Sequence, residues 1–168
     1  NTSKTMVYRL SASGSLIWKN CLKNTISTVN APTGFHYTNI ESATEGLSGD
    51  VILGGTTNST LSSSAKFETI IRLNSAGQLV WDANYGNNGD YQYGAEGMGV
   101  YMDGGNIAFI GLTHGASSPQ IPAAITLLKI DYATGNLISK RFYRPQYTNL
   151  SEEFHKTFSY WYNKSDRL

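Results

Sequence analysis

From Ile70 to Trp81 the chain reads IIRLNSAGQLVW. Apolar side chains alternate with others, give way to the polar loop Asn74-Ser75-Ala76-Gly77, and then resume. Period-two alternation on either side of a short loop closing on glycine predicts a β-hairpin, because glycine takes a left-handed backbone at no steric cost. The pattern occurs three times. Val7 to Trp18, VYRLSASGSLIW, matches without a gap, and Leu127 to Ser139, LLKIDYATGNLIS, matches with one residue added in the loop. Gly14, Gly77 and Gly135 are thus equivalent turn residues. Trp18 and Trp81 are equivalent closing residues, expected to pack between successive units.

A second kind of hairpin precedes the last two copies. Tyr37 to Thr44 and Asp50 to Thr57 form one such pair, and Gly94 to Tyr101 and Asn106 to Thr113 form the other, around the turn Met102-Asp103-Gly104-Gly105. Gly54 and Gly55 inside a predicted strand mark a closely packed neighbour or a bulge. Polar stretches at 23–35, 58–64, 82–93 and 114–122 read as loops or linkers. Beyond Arg144 the order restarts, with Glu153 to Phe158 laid over Glu96 to Tyr101. On that alignment Glu41, Glu96 and Glu153 recur once per unit. Such repetition marks a structural group that bonds loop backbone or lines a channel, whereas a catalytic pair would converge on one substrate.

The interval from Trp18 to Trp81, like that from Trp81 to Ser139, is about 60 residues and holds four short strands, the content of one β-propeller blade. The expected fold class is all-β, with blades of four antiparallel strands. Residues 1–168 form a single propeller segment: 5–22 a half blade, 36–85 a blade, 93–143 a blade, and 150–168 the start of another. About three blades make an incomplete ring, since propellers close with roughly 4 to 8. The rest is expected from a longer polypeptide or from neighbouring chains.

Short motifs agree with this architecture. Ile130-Asp131-Tyr132-Ala133-Thr134-Gly135, with the Trp-ended strands of the other copies, resembles the repeat of PQQ-like and related bacterial propellers. Asp103-Gly104-Gly105 and Gly111-Leu112-Thr113 resemble the propeller repeats common in secreted proteins. The resemblance implies a propeller fold; it carries over neither a quinone site nor a catalytic residue.

Composition narrows the function classes. Charged residues are 15% of the chain, Gly numbers 17 and Tyr 11, a balance suited to strands and turns. The formal charge of +1, without basic clusters, argues against nucleic acid or an anionic membrane as partner. No apolar run approaches the ~20 residues of a spanning helix, so no membrane span is expected. Cys21 is alone, which excludes an internal disulfide and fits a buried, inert thiol. Sequons at Asn1, Asn58, Asn149 and Asn163 fall in predicted loops or at chain ends. They are glycosylation candidates and favour an extracellular, secreted or cell-surface location, although a chain rich in Asn, Ser and Thr also generates sequons by chance.

Chemistry-bearing motifs are sparse. His36, His114 and His155 are far apart and lack ligand spacing, so no metal site is expected. No Walker loop, G-x-S-x-G or DxDxDG loop occurs, and neither a cofactor nor a catalytic residue is expected. Aromatic residues in predicted loops, Tyr85, Tyr91 and Tyr93, with Tyr160-Trp161-Tyr162, are candidates for ligand or partner contact, because exposed rings stack on sugars and anchor interfaces. Packing is the competing reading for the loop tyrosines. The functional expectation is a noncatalytic extracellular module with a structural or protein-interaction role, its partners other protein chains or the missing part of its own. A glycan-binding propeller using the loop tyrosines is one alternative. The scaffold of a propeller enzyme whose active site lies outside this segment is the other.

Overall fold

The computed structural model describes residues 5–22, 35–59, 66–85, 95–113 and 124–143. They form ten strands, all paired antiparallel: β1 Thr5–Leu10, β2 Leu16–Leu22, β3 Phe35–Glu45, β4 Val51–Ser59, β5 Lys66–Leu73, β6 Leu79–Tyr85, β7 Ala95–Asp103, β8 Asn106–Thr113, β9 Ala124–Asp131 and β10 Leu137–Tyr143. Strands β1 and β2 make a two-stranded sheet, while β3 to β6 and β7 to β10 make two four-stranded meanders whose spatial order follows the chain. A 3-10 turn, Leu47–Gly49, joins β3 to β4.

The three repeated hairpins close by the same device. Gly14, Gly77 and Gly135 adopt φ of 80°, 79° and 73°, a region that costs a residue with a Cβ about 1 kcal/mol or more. The N–H of Gly77 donates to the Asn74 carbonyl at 2.8 Å, and that of Gly14 to Ser11 at 2.9 Å. The first residue of each loop then caps it from its side chain: Asn74 Oδ1 accepts from the N–H groups of Ala76 and Gln78, and Asp131 Oδ1 from the N–H of Thr134. Hydrogen bonds from the Thr134 hydroxyl and N–H hold the Asp131 carboxyl below its ordinary range. A register shift adjoins each turn, at Arg9/Leu10, Arg72/Leu73 and Leu137/Ser139, as expected of a loop that ends in a glycine bulge.

Alternation along β5 and β6 sets the layering. Ile70 of β5 and Trp81, Ala83 and Tyr85 of β6 pack with Val100, Ile107, Phe109, Leu128, Ile130 and Tyr132 of the second meander. On the opposite face Leu53, Ile71 and Leu73 pack with Val7, Trp18 and Leu22 of the first hairpin. The β3–β6 sheet is therefore covered on both sides. A fully buried Ile, Leu or Phe contributes about 1.5–3 kcal/mol, against about 1 kcal/mol for a turn hydrogen bond, so these two faces dominate cohesion.

The paired glycines of β4 answer to both anticipated causes. A methyl group at Gly54 would sit 2.9 Å from the Phe109 ring of the facing sheet, and one at Gly55 would overlap the Asn39 carbonyl of β3. Beside them β3 bulges, because Ile40 pairs with Gly55 and Ser42 with Gly54, so that Glu41 is the extra residue of the bulge. Strand β7 bulges at the matching place, where Gly97 pairs with Gly111 and Gly99 with Ile110, leaving Met98 unpaired. This corrects the alignment of the acidic residues. Glu96 pairs with Leu112, the position that Asn39 holds against Thr56, so Glu41 and Glu96 are not equivalent. Glu153 lies outside the described residues. Among the described residues no helix is long and apolar enough to cross a membrane.

Candidate interaction surface

At one end of the sheets lie the turns of the three repeated hairpins, the 3-10 turn and the β7–β8 turn, and here successive sheets interlock. Trp18 projects from β2 towards the next sheet, where its indole lies against Gly77; a methyl group there would be 2.7 Å from Cδ2 and 2.8 Å from Cε3. The indole N–H donates to the Ser75 carbonyl at 2.9 Å, and Asn20 Nδ2 donates to the Gly77 carbonyl at 2.6 Å. Trp81 repeats the contact one sheet on. Its ring lies against Gly135, 2.9 Å from a methyl group's place, its N–H donates to the Tyr132 carbonyl at 3.0 Å, and the Tyr85 hydroxyl donates to the Gly135 carbonyl at 2.7 Å. Only glycine lets a ring face approach a left-handed turn so closely.

A cation accompanies each closing position. Arg9 pairs with Trp18, Arg72 with Trp81, and Lys129 with Ser139, all by strand register. Arg9 donates to the Gly49 carbonyl and pairs with Glu45 at 3.0 Å. Arg72 donates through Nε to Asp50 Oδ2 at 2.8 Å and through Nη1 to the Tyr132 carbonyl at 2.9 Å, with its guanidinium 3.9 Å above the Tyr132 ring. The Tyr132 hydroxyl reaches Asp50 Oδ2 at 2.8 Å and the Leu47 carbonyl at 3.1 Å; burial and the Asp50 hydrogen bond raise its phenol above the ordinary value. Lys129 pairs with Asp103 at 2.9 Å. The signal for these cations was present in the sequence as the same offset that relates the hairpins.

Between the two meanders lies a fully buried acid. Glu68 of β5 is fully buried, 3.7 Å from Lys140 Nζ of β10, and desolvation raises its carboxyl from 4.5 to about 7 against the lowering influence of Lys140 and Thr126. On the other face of the first meander, the Thr69 hydroxyl donates to Asn84 Oδ1 at 2.5 Å and is bonded to that of Thr57, a buried polar row.

The sequence-derived candidates are distributed unevenly over this geometry. Trp18, Trp81, Gly14, Gly77 and Gly135 occupy repeated positions, the first two at contacts between sheets. Tyr85 is corrected: it ends β6 rather than lying in a loop, is 3% exposed, and its hydroxyl is satisfied by Gly135, so no face is open to a ligand. Asn58 is corrected from linker to strand, paired with Tyr37 of β3 and Lys66 of β5. Glu41 is exposed and accepts from Asn39 Nδ2 at 2.9 Å. Cys21 is a half-buried free thiol rather than a core one. Tyr91, Tyr93, Tyr160, Trp161, Tyr162, Asn1, Asn149 and Asn163 lie outside the described residues. Among the described residues no three His, Cys, Asp or Glu side chains gather as metal ligands do. No protein-family model matches the chain, and no curated protein matches it.

Proposed function

We propose that the chain is a segment of a β-propeller whose sheets are blades, and that it acts as a noncatalytic extracellular module with a structural or protein-interaction role. The observation that carries this reading is the contact made twice in the same form: Trp18 on Gly77, then Trp81 on Gly135, each with an indole N–H donated to the carbonyl of the receiving turn. A contact that hands each sheet to the next in chain order is a stacking rule, and four-stranded meanders stacked by one rule around an axis make a propeller. The tight turns and their ion pairs give one rigid end, suited to display rather than to chemistry. The sequons support an extracellular setting.

Electron microscopy of the native particle that contains this chain tests the reading. Ring-shaped class averages with a central channel are expected, and an open sandwich of sheets contradicts it. A glycan array separates the interaction module from a sugar-binding one. Tyr85 cannot serve the latter, being enclosed between the sheets.

A further inference from the structure

Among the described residues Gly77 and Gly135 each receive an indole, and their equivalent Gly14 receives none. It has the same left-handed turn, with φ of 80°, and nothing lies within 4 Å of the place its side chain would take. On one face of this hairpin Met6, Tyr8 and Leu10 alternate along β1, exposed at 44%, 58% and 56%. Their register equivalents on β5 are Thr69, Ile71 and Leu73. Those are 4%, 0% and 0% exposed, and the two aliphatic ones are covered by Val7, Trp18 and Leu22 of the preceding unit. The hairpin thus carries a face of the kind that is covered elsewhere in the molecule, together with an empty seat for an indole.

We propose that this face is the docking site of a separate antiparallel repeat sheet, outside the described residues, whose closing strand carries a tryptophan. That indole lies on Gly14, and its N–H donates to the Ala12 carbonyl, the counterpart of the Ser75 carbonyl that Trp18 uses. The inference rests on the repeat-stacking reading above and specifies the partner's chemistry. A second copy of this chain is not the occupant. Among the described residues, the face it would bring is the outer one of β7–β10, where Ser139 stands beside Lys129 in the place that Trp81 holds beside Arg72. A serine there cannot fill the seat, and buried aromatic anchors dominate such interfaces.

The chain itself supplies the test, through Ser139→Trp. Ser139 is exposed, so the substitution adds an indole without opening the core. By sedimentation velocity the Ser139→Trp chain is expected to self-associate head to tail, at least about tenfold more tightly than the unsubstituted chain. Gly14→Asn in that background keeps a left-handed turn but puts a Cβ in the path of the ring, and is expected to return association to the unsubstituted level. Tyr8→Glu, on an exposed strand position, is expected to do the same without touching the turn. The proposal is overturned if Ser139→Trp associates no more than the unsubstituted chain, or if neither second substitution reduces its association. Ring closure is read separately in the native particle, so intact rings with no gain from Ser139→Trp reject the tryptophan seat and leave the propeller reading standing.

Discussion

The face of the Trp81 indole rests on Gly135, and the same tryptophan donates its N–H to the carbonyl of Tyr132 three residues earlier in that turn. One side chain thereby ties β6 of the first meander to the β9–β10 turn of the second. Trp81 is 5% exposed, whereas Trp18, which makes the equivalent contact, is only half-buried. Trp81→Ala is therefore expected to destabilise by about 3–5 kcal/mol and Trp18→Ala by distinctly less. Urea unfolding of the two variants checks the order; equal losses would contradict the packing described.

Stability should fall as pH rises through the neutral range, because of Glu68. Its folded pKa, about 7, lies above the ordinary 4.5, so the folded state binds the proton more tightly than the unfolded chain. The sign follows from linkage. Protonated Glu68 is fully tolerated below about 4.5, and stability is lost between there and about 7 as the unfolded carboxyl ionises first, to a ceiling of roughly 3 kcal/mol. Glu68→Gln should flatten that slope and leave the protein more stable than the parent at pH 8. Lys140→Met should steepen the loss by removing the favourable charge 3.7 Å away. Thermal melts from pH 4 to 8 measure all three.

Arg72 and Tyr132 should be energetically coupled, since the guanidinium covers the ring and both groups bind Asp50. A double-mutant cycle with Arg72→Met and Tyr132→Phe is expected to return a coupling of about 0.5–3 kcal/mol. Arg72→Lys should recover little, because an ammonium cannot reach Asp50 and the Tyr132 carbonyl together in the fork geometry of the guanidinium.

Tyr85→Phe removes a buried donor and leaves the Gly135 carbonyl without it. A loss of about 1–3 kcal/mol is expected, against little change for Tyr101→Phe at a ring that is 51% exposed. Chemical denaturation of the two variants decides the matter, since a tyrosine reserved for ligand contact would cost nothing in stability.

The hairpins were legible in the sequence because two-residue alternation and a left-handed glycine are local requirements, satisfied within a dozen residues. Packing of Trp18 and Trp81 between units followed from repetition, but their seats on Gly77 and Gly135 did not, because they depend on sheets that the chain brings together only in three dimensions. Gly54 and Gly55 marked a bulge or a close neighbour, but not which residue of the partner strand is the extra one. Nothing in the residues around Glu41 or Met98 announces the extra residue, which is why Glu41 and Glu96 seemed equivalent and are not. Tyr85 looked like part of the polar stretch that begins at Asp82, yet strand alternation carries it inward on the face of Trp81 and Ala83. Glu68 was missed because its exposure is decided by β9 and β10, on the facing sheet.

Glycine α-proton chemical shifts test the stacking rule most directly. At Gly77 and Gly135 one α-hydrogen occupies the place of a side chain and points into an indole face, where the ring current shifts it upfield; at Gly14 it points into open space. In the NMR spectrum of the chain, Gly77 and Gly135 should show such shifted protons and Gly14 should not. Trp18→Ala should normalise Gly77 alone and Trp81→Ala should normalise Gly135 alone. Ordinary shifts at all three glycines, or shifts that survive loss of the tryptophans, would contradict the account.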